Sequence, residues 1–378
     1  MHEALCICNG INSSSFFIWI SLKKGMHLKK RIDLKEERIY RKGRLMKICT
    51  IFTGGTIGSI LDESGYIGPK EGTPYRLLDL YQKQCKVDVE FETLEPYRIL
   101  SENLSSKHIE ILIKTVQKVL TEKTIDGIII THGTDTLQYG AALLGYVFGH
   151  VDIPIVLVSS NYVLDDKRAN GLINFHYAVE FIKGQHGKGV FVSYCNTDAF
   201  PTIHRATRLQ PLIPYSDYVA SVQDSWYGRY ENGHYIANPE YYIKEGQASF
   251  NCSAKDLQLN DCSKEITFIH PYVGMNYPKL TNDTKAVLHG SYHSGTVCVE
   301  GPLKDFMSEA KSKNIPVFLT GLLAGEHAYE TVREYEALGI KVLHTASEVA
   351  QYCKLWLALS NHMDVEKIMN MSVAEDWI

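Results

Sequence analysis

The sequence predicts a two-domain α/β fold: a larger N-terminal domain on a doubly wound, mostly parallel sheet, and a smaller C-terminal parallel α/β domain. Three observations predict it. Short apolar runs rich in β-branched residues recur: KICTIF (47–52), GIIIT (127–131), PIVLVSS (154–160) and GVFVSY (189–194). Between the first two, Ile109, Leu112, Ile113, Val116, Val119 and Leu120 make a stripe of helical period within 105–123. After a polar interruption the same alternation resumes with ITFIHPYVG (266–274), AVLHGSY (286–292), PVFLTG (316–321) and IKVLH (340–344). Continuous apolar strands alternating with amphipathic helices belong to parallel sheets covered on both faces, an arrangement of the flavodoxin-like kind.

The 378-residue length exceeds what one hydrophobic core usually serves, which is why two domains are expected. Residues 1–45 differ from the rest: an apolar patch, SSSFFIWISLKKG, precedes the charged run KKRIDLKEERIYRKGR. A secretory signal has the opposite order. Residues 1–45 therefore read as a disordered extension or as upstream sequence, with Met46 the true start. The N-terminal domain is expected over 46–230, a connector over 231–264 that could hold a hairpin, and the C-terminal domain over 265–378. Helices are expected at 303–313, 328–338 and 347–360.

Bulk chemistry excludes several classes. The net charge is −4, without a basic patch beyond the N-terminal segment, which argues against nucleic-acid binding. No apolar run reaches 18 residues, so no membrane span is expected. Nine cysteines without a CxxC pair suggest neither zinc nor a disulfide framework, and several sit in apolar runs as small core residues. A reducing cytoplasm is the expected location.

Two glycine turns follow strand ends, where parallel sheets form their ligand crevice. The first is TGGTIG at 53–58. It lacks the lysine of a phosphate-binding loop and the spacing of a dinucleotide fingerprint. It could be a tight strand-to-helix turn, a poor phosphate cradle, or a loop presenting the Thr56 hydroxyl. The second is His132-Gly133-Thr134-Asp135-Thr136. Thr134 and Asp135 could serve as a helix cap. Alternatively Asp135 accepts from a ligand ammonium while Thr134 offers its hydroxyl.

The motifs FTGGTIG and ITHGTDT resemble, in order and spacing, the two signatures of the bacterial-type L-asparaginases and glutaminase-asparaginases, most closely the cytoplasmic type I branch. TIGSILDESGYIG resembles the family's flexible loop, YRILSENL its substrate-carboxylate segment, and PIVLVSSNYVLDDKRANG and HRATRLQ further stretches. The similarity covers about residues 46–360. It implies hydrolysis of the side-chain amide of L-asparagine or a related amide to a carboxylate and ammonia. Thr56 would be the nucleophile and Tyr66 its activator on a lid. Thr134, Asp135 and a basic partner would form a second cluster. Ser101, with Glu102 beside it, would hold the α-carboxylate and Asp135 the α-ammonium. Gly55, Gly133 and Ser160 would line the substrate site, backbone N–H groups stabilising the oxyanion. The resemblance implies no metal or organic cofactor, and a homodimer or homotetramer.

The chain departs from the family pattern in places. Arg208 stands where the resemblance implies a lysine, and arginine cannot act as a base. Asn161, Tyr162 and Val163 replace an arginine or glutamine and a proline. Asn170 stands where an aspartate is usual, and Glu102 where a glutamine or serine is common. These departures leave a ligand-binding relative with weak or no turnover as the alternative. A tRNA amidotransferase component is disfavoured, because 45 extra residues are too few for its additional N-terminal domain.

Overall fold

The computed structural model describes residues 45–69, 72–85, 89–244, 250, 256–321 and 329–378. The extension read at 1–45 lies, except for Leu45, outside the described residues. Residues Met46–Ile378 form one compact unit.

Strand β1 (Met46–Ile51) lies second from one edge of an eight-stranded sheet. Its first neighbours, β4 (Val89–Leu94) and β5 (Gly127–Thr131), flank it in parallel, with Ile48 opposite Phe91 and Gly127. The parallel run continues through β6 (Pro154–Val158) and β7 (Gly189–Tyr194). Strands β8 (Thr202–Arg205), β9 (Gly228–Glu231) and β10 (His234–Ala237) then add antiparallel, completing the order β10-β9-β8-β7-β6-β5-β1-β4. The turn between β9 and β10 is Asn232-Gly233, both at positive φ (50° and 79°), as a two-residue hairpin requires. This hairpin lies partly inside the polar stretch 231–264.

Alternation along each strand explains the unbroken apolar runs. Cys49, Ile51, Ile128, Ile130, Ile155 and Leu157 face one core; Ile48, Ile129, Val156, Val158 and Phe191 face the other. Helices α1 (Thr73–Gln84) and α4 (Gly171–Gly184) cover the second face. Helices α2 (Ser106–Glu122) and α3 (Leu137–Phe148) cover the first. The expected stripe on α2 is buried from Ile109 to Val119.

The C-terminal sheet is all parallel, in the order β11 (Ile266–Ile269), β12 (Ala286–His289), β13 (Val317–Leu319), β14 (Lys341–Val342). Around it pack α5 (Pro302–Ser312), α6 (Thr331–Leu338), α7 (Glu348–Ser360) and the short α8 (Val365–Met369). Val349, Ala350, Cys353 and Leu357 of α7 join the same core as α3, so one apolar layer runs from the large sheet to the small one. A small hairpin, β2 (Ser59–Leu61) with β3 (Ile67–Pro69), leaves the main sheet directly after β1.

The connection from β1 leads to β4 on one side, while that from β5 leads to β6 on the other. The order in which strands are added reverses between β1 and β5, which run parallel. Crevices open at the carboxyl ends of such a strand pair.

Candidate active site at the β1–β5 switch point

The ends of β1 and β5 are stitched together. Thr53 Oγ1 donates to the Thr131 carbonyl at 2.6 Å, and the Thr53 amide donates to Thr131 Oγ1 at 3.3 Å. Beyond Thr53 the chain turns through Gly54 and Gly55, at φ 102° and 75°. Both glycines are required by contact as well as by φ. A Cβ on Gly54 would lie 2.3 Å from the Ile99 carbonyl oxygen; one on Gly55 would lie 2.4 Å from the Gly133 Cα. Thr56 then opens a single 3-10 turn, Thr56–Gly58, half-buried at the crevice. The Gly55 amide is spent on the Ile99 carbonyl at 2.8 Å, so this turn is not an open cradle of amides for a phosphate.

On the β5 side, His132 prolongs the ladder through its amide to the Val158 carbonyl at 2.9 Å. Its imidazole is buried, which holds its pKa below the ordinary range and keeps it neutral. The Gly133 carbonyl can only accept, so Nδ1 donates to it at 2.9 Å. Because a trans peptide carries C=O and N–H on opposite sides, this bond turns the Thr134 N–H away from the imidazole. That amide has no acceptor among the described residues.

Ser101, buried in the turn Ser101–Asn103, closes the cluster. A Cβ on Gly133 would lie 2.4 Å from Ser101 Cβ. Ser101 Oγ donates to Asp135 Oδ2 at 2.8 Å, and Thr136 Oγ1 donates to the Ser101 carbonyl at 3.0 Å. Gln138 Nε2, from the second residue of α3, reaches the Asp135 carbonyl at 3.2 Å. Asp135 is exposed just before the N-terminus of α3, where the helix dipole favours a carboxylate.

Gly55, Thr56, Ser101, Gly133, Thr134 and Asp135 thus converge, and Glu102 stands exposed on the same turn as Ser101. Three expected residues do not join them. Tyr66 sits on the loop between β2 and β3, 74% exposed, with no hydrogen bond to Thr56. Ser160 follows β6 with its hydroxyl turned into its own loop, donating to the Tyr162 carbonyl at 2.6 Å and accepting from the Gly171 amide at 3.1 Å.

Arg208 is the third residue that does not join them. The resemblance places it with Thr134 and Asp135, but β8 runs antiparallel to β7. Tyr194 pairs with Thr202 at the carboxyl edge, and Phe191 with Arg205 towards the opposite edge. The chain has crossed the sheet before it reaches 208. There the Arg208 guanidinium is buried; it donates to the carbonyls of Glu375 (2.6 Å), Tyr242 (2.8 Å) and Trp377 (2.9 Å) and stacks on Tyr241. Among the described residues no lysine or arginine pairs with Asp135.

Sequence reasoning passed over Thr53, Thr131, His132 and Gln138 as parts of this site. The first three lie inside the quoted motifs, so the signal was present; only the structure shows that they brace the loops.

With this geometry the chain matches a family described as Asparaginase, N-terminal, over residues 47–221. Over those residues it carries an asparaginase-type N-terminal domain. Among curated relatives, the glutaminase-asparaginase of Pseudomonas aeruginosa is 33% identical over 156 residues, covering 40% of this chain and 42% of the relative. A glutamyl-tRNA(Gln) amidotransferase subunit of Methanobrevibacter smithii is 26% identical over 411 residues, covering 100% of this chain and 91% of that one. Among solved structures, the thermostable L-asparaginase from Thermococcus kodakarensis superposes with a TM-score of 0.69 at 23% identity, covering 88% of this chain and 99% of that one. The structural likeness speaks for the asparaginase fold, with its large N-terminal and smaller C-terminal sheets.

Proposed function

We propose that this chain hydrolyses the side-chain amide of L-asparagine, or of a related amino-acid amide, to the carboxylate and ammonia. The observation that carries the reading is the contact of Gly55 with Gly133, which brings the Thr56 and Thr134 loops together at the switch point. In this scheme Thr56 Oγ attacks the amide carbonyl, and the tetrahedral oxyanion is met by backbone N–H groups, the Thr134 amide among them. Preorganised donors of this kind are worth about 3 kcal/mol each in the transition state. The amide nitrogen leaves as ammonia after gaining a proton. Water then cleaves the threonyl ester, releasing the carboxylic product and restoring the hydroxyl. Asp135, aimed by Ser101, receives the substrate ammonium. Tyr66 reaches Thr56 when the β2–β3 hairpin folds over the crevice and relays the proton, accepting it from the Thr56 hydroxyl as its own phenolic proton passes to the leaving amide nitrogen. We place the enzyme in the cytoplasm, as a homodimer or homotetramer, with no metal or organic cofactor.

A second reading is favoured by the alignment that spans this whole chain with an amidotransferase component. There the same hydrolysis would supply ammonia to a partner protein instead of releasing it. The test is ammonia release by the purified full chain from L-asparagine, L-glutamine and related amides. Release from a free amino-acid amide supports the hydrolase. Binding of those amides without ammonia release favours the ligand-binding alternative or a missing partner protein.

A further inference from the structure

Residues 372–378 are buried or half-buried between elements of both sheets. Asp376 is fully buried: its Oδ2 accepts from Tyr146 of α3 at 2.9 Å and from Lys354 of α7 at 2.7 Å. Its other oxygen accepts the Val373 amide at 2.9 Å, folding the tail on itself. Lys354, 1% exposed, also donates to the Met371 carbonyl at 2.5 Å. The next residue back, Glu375, takes the guanidinium fork of Arg205 at 3.1 and 2.5 Å and the Tyr241 phenol at 2.7 Å. Arg208 holds the carbonyls of Glu375 and Trp377, and Thr207 Oγ1 donates to that of Ala374 at 2.8 Å. On the other side, the Ile378 amide reaches the Thr345 carbonyl at 3.1 Å and the Trp377 ring lies 4.0 Å from that of His344, both just beyond β14.

The backbone is held against its preference as well. Ala374 and Glu375 have φ of 51° and 62°, a region that side-chain-bearing residues leave unless their surroundings over-determine it. We propose that residues 372–378 are a clasp that makes the two sheets unfold as one cooperative unit, with Lys354, Asp376 and Tyr146 as its lock. The physical reason is that the clasp cannot open on one side only. Withdrawing the tail takes from Lys354 of α7 its carboxylate and leaves Arg205 and Arg208, at the end of β8, with the Lys188 and Tyr242 carbonyls in place of Glu375 and the tail carbonyls, all in low dielectric, so both sheets lose together. The tail also grips the far end of α3, the helix whose first turn follows Asp135.

Hydrogen exchange on the unmodified full chain tests this. The Val373, Asp376 and Ile378 amides are expected to exchange within tenfold of those of α3 and α7. Exchange at least a hundredfold faster, as at a frayed end, overturns the clasp. In Asp376→Asn, unfolding is expected to split in two, with β11–β14 losing protection at least tenfold before β1, β5 and β6. A single transition in that variant overturns the coupling. Should Asp376→Asn not fold, Tyr146→Phe removes only one phenol and is expected to speed tail exchange about tenfold; unchanged tail exchange contradicts the lock.

Discussion

Gly55 and Gly133 meet backbone to backbone: a Cβ on Gly55 would stand 2.4 Å from the Gly133 Cα and 2.5 Å from its nitrogen. Each of the two threonine loops is therefore the wall against which the other is built. Gly55→Ala adds a Cβ to a residue at φ 75°, where an L side chain is strained even in open space. The expected result is a loss of at least about 2 kcal/mol in chemical denaturation, combining backbone strain and the clash. Ammonia release should fall further than the folded fraction, because the loops part.

Ser101 positions Asp135 more than it stabilises the fold. Ser101→Ala removes one bond to a carboxylate that is exposed and can take water instead. Denaturation should move by under about 1 kcal/mol. Steady-state kinetics should show KM for an amino-acid amide raised about tenfold, equivalent to about 1.4 kcal/mol of binding.

Acid should destabilise the protein through its buried histidines. His204 is buried against Ser221 Oγ at 2.8 Å, and burial pushes its pKa from 6.5 down to about 4. The folded value lies below the unfolded one, so the contribution is complete above pH 6.5. It is lost as pH falls towards 4, while the unfolded chain takes up the proton first. At pH 5 the loss is about 2 kcal/mol, from roughly 1.5 units at 1.36 kcal/mol each. His132 shifts in the same direction for the same reason. Melting followed from pH 7.5 to 5 should fall, and His204→Gln should flatten the slope.

Arg208→Lys should be a stability variant and not a catalytic one. The guanidinium serves three carbonyls that one ammonium cannot reach together. Stability should drop by about 2–3 kcal/mol as buried acceptors lose their partners. Ammonia release per folded molecule should stay unchanged; a rise in rate would return Arg208 to the active site.

What was legible follows from the range of the interactions. The strand runs at 47–52, 127–131 and 189–194 and the stripe on α2 stand in the structure with boundaries moved by a residue, because burial on alternate faces writes itself into local sequence. The strands of the second sheet are shorter than their apolar runs: β12 ends at His289, where Gly290 and Ser291 leave the sheet. The two glycine turns were visible as a pair because each needs a residue without Cβ. The position of Arg208 was not visible. It depends on the direction of β8, which adjacency in sequence does not encode. The partners of Asp376 lie on α3 and α7, far from it along the chain, so the tail could not be read as structural from its own residues.

The most direct measurement is ammonia release from L-asparagine by Thr56→Ala beside the unmodified full chain, with folding of both checked by melting. A hydroxyl nucleophile at Thr56 predicts turnover in the parent chain and a loss of at least about a thousandfold in the variant, the order expected when a covalent step is removed. Turnover that survives in Thr56→Ala would contradict the account, and would leave Thr134 as the nucleophile of the two.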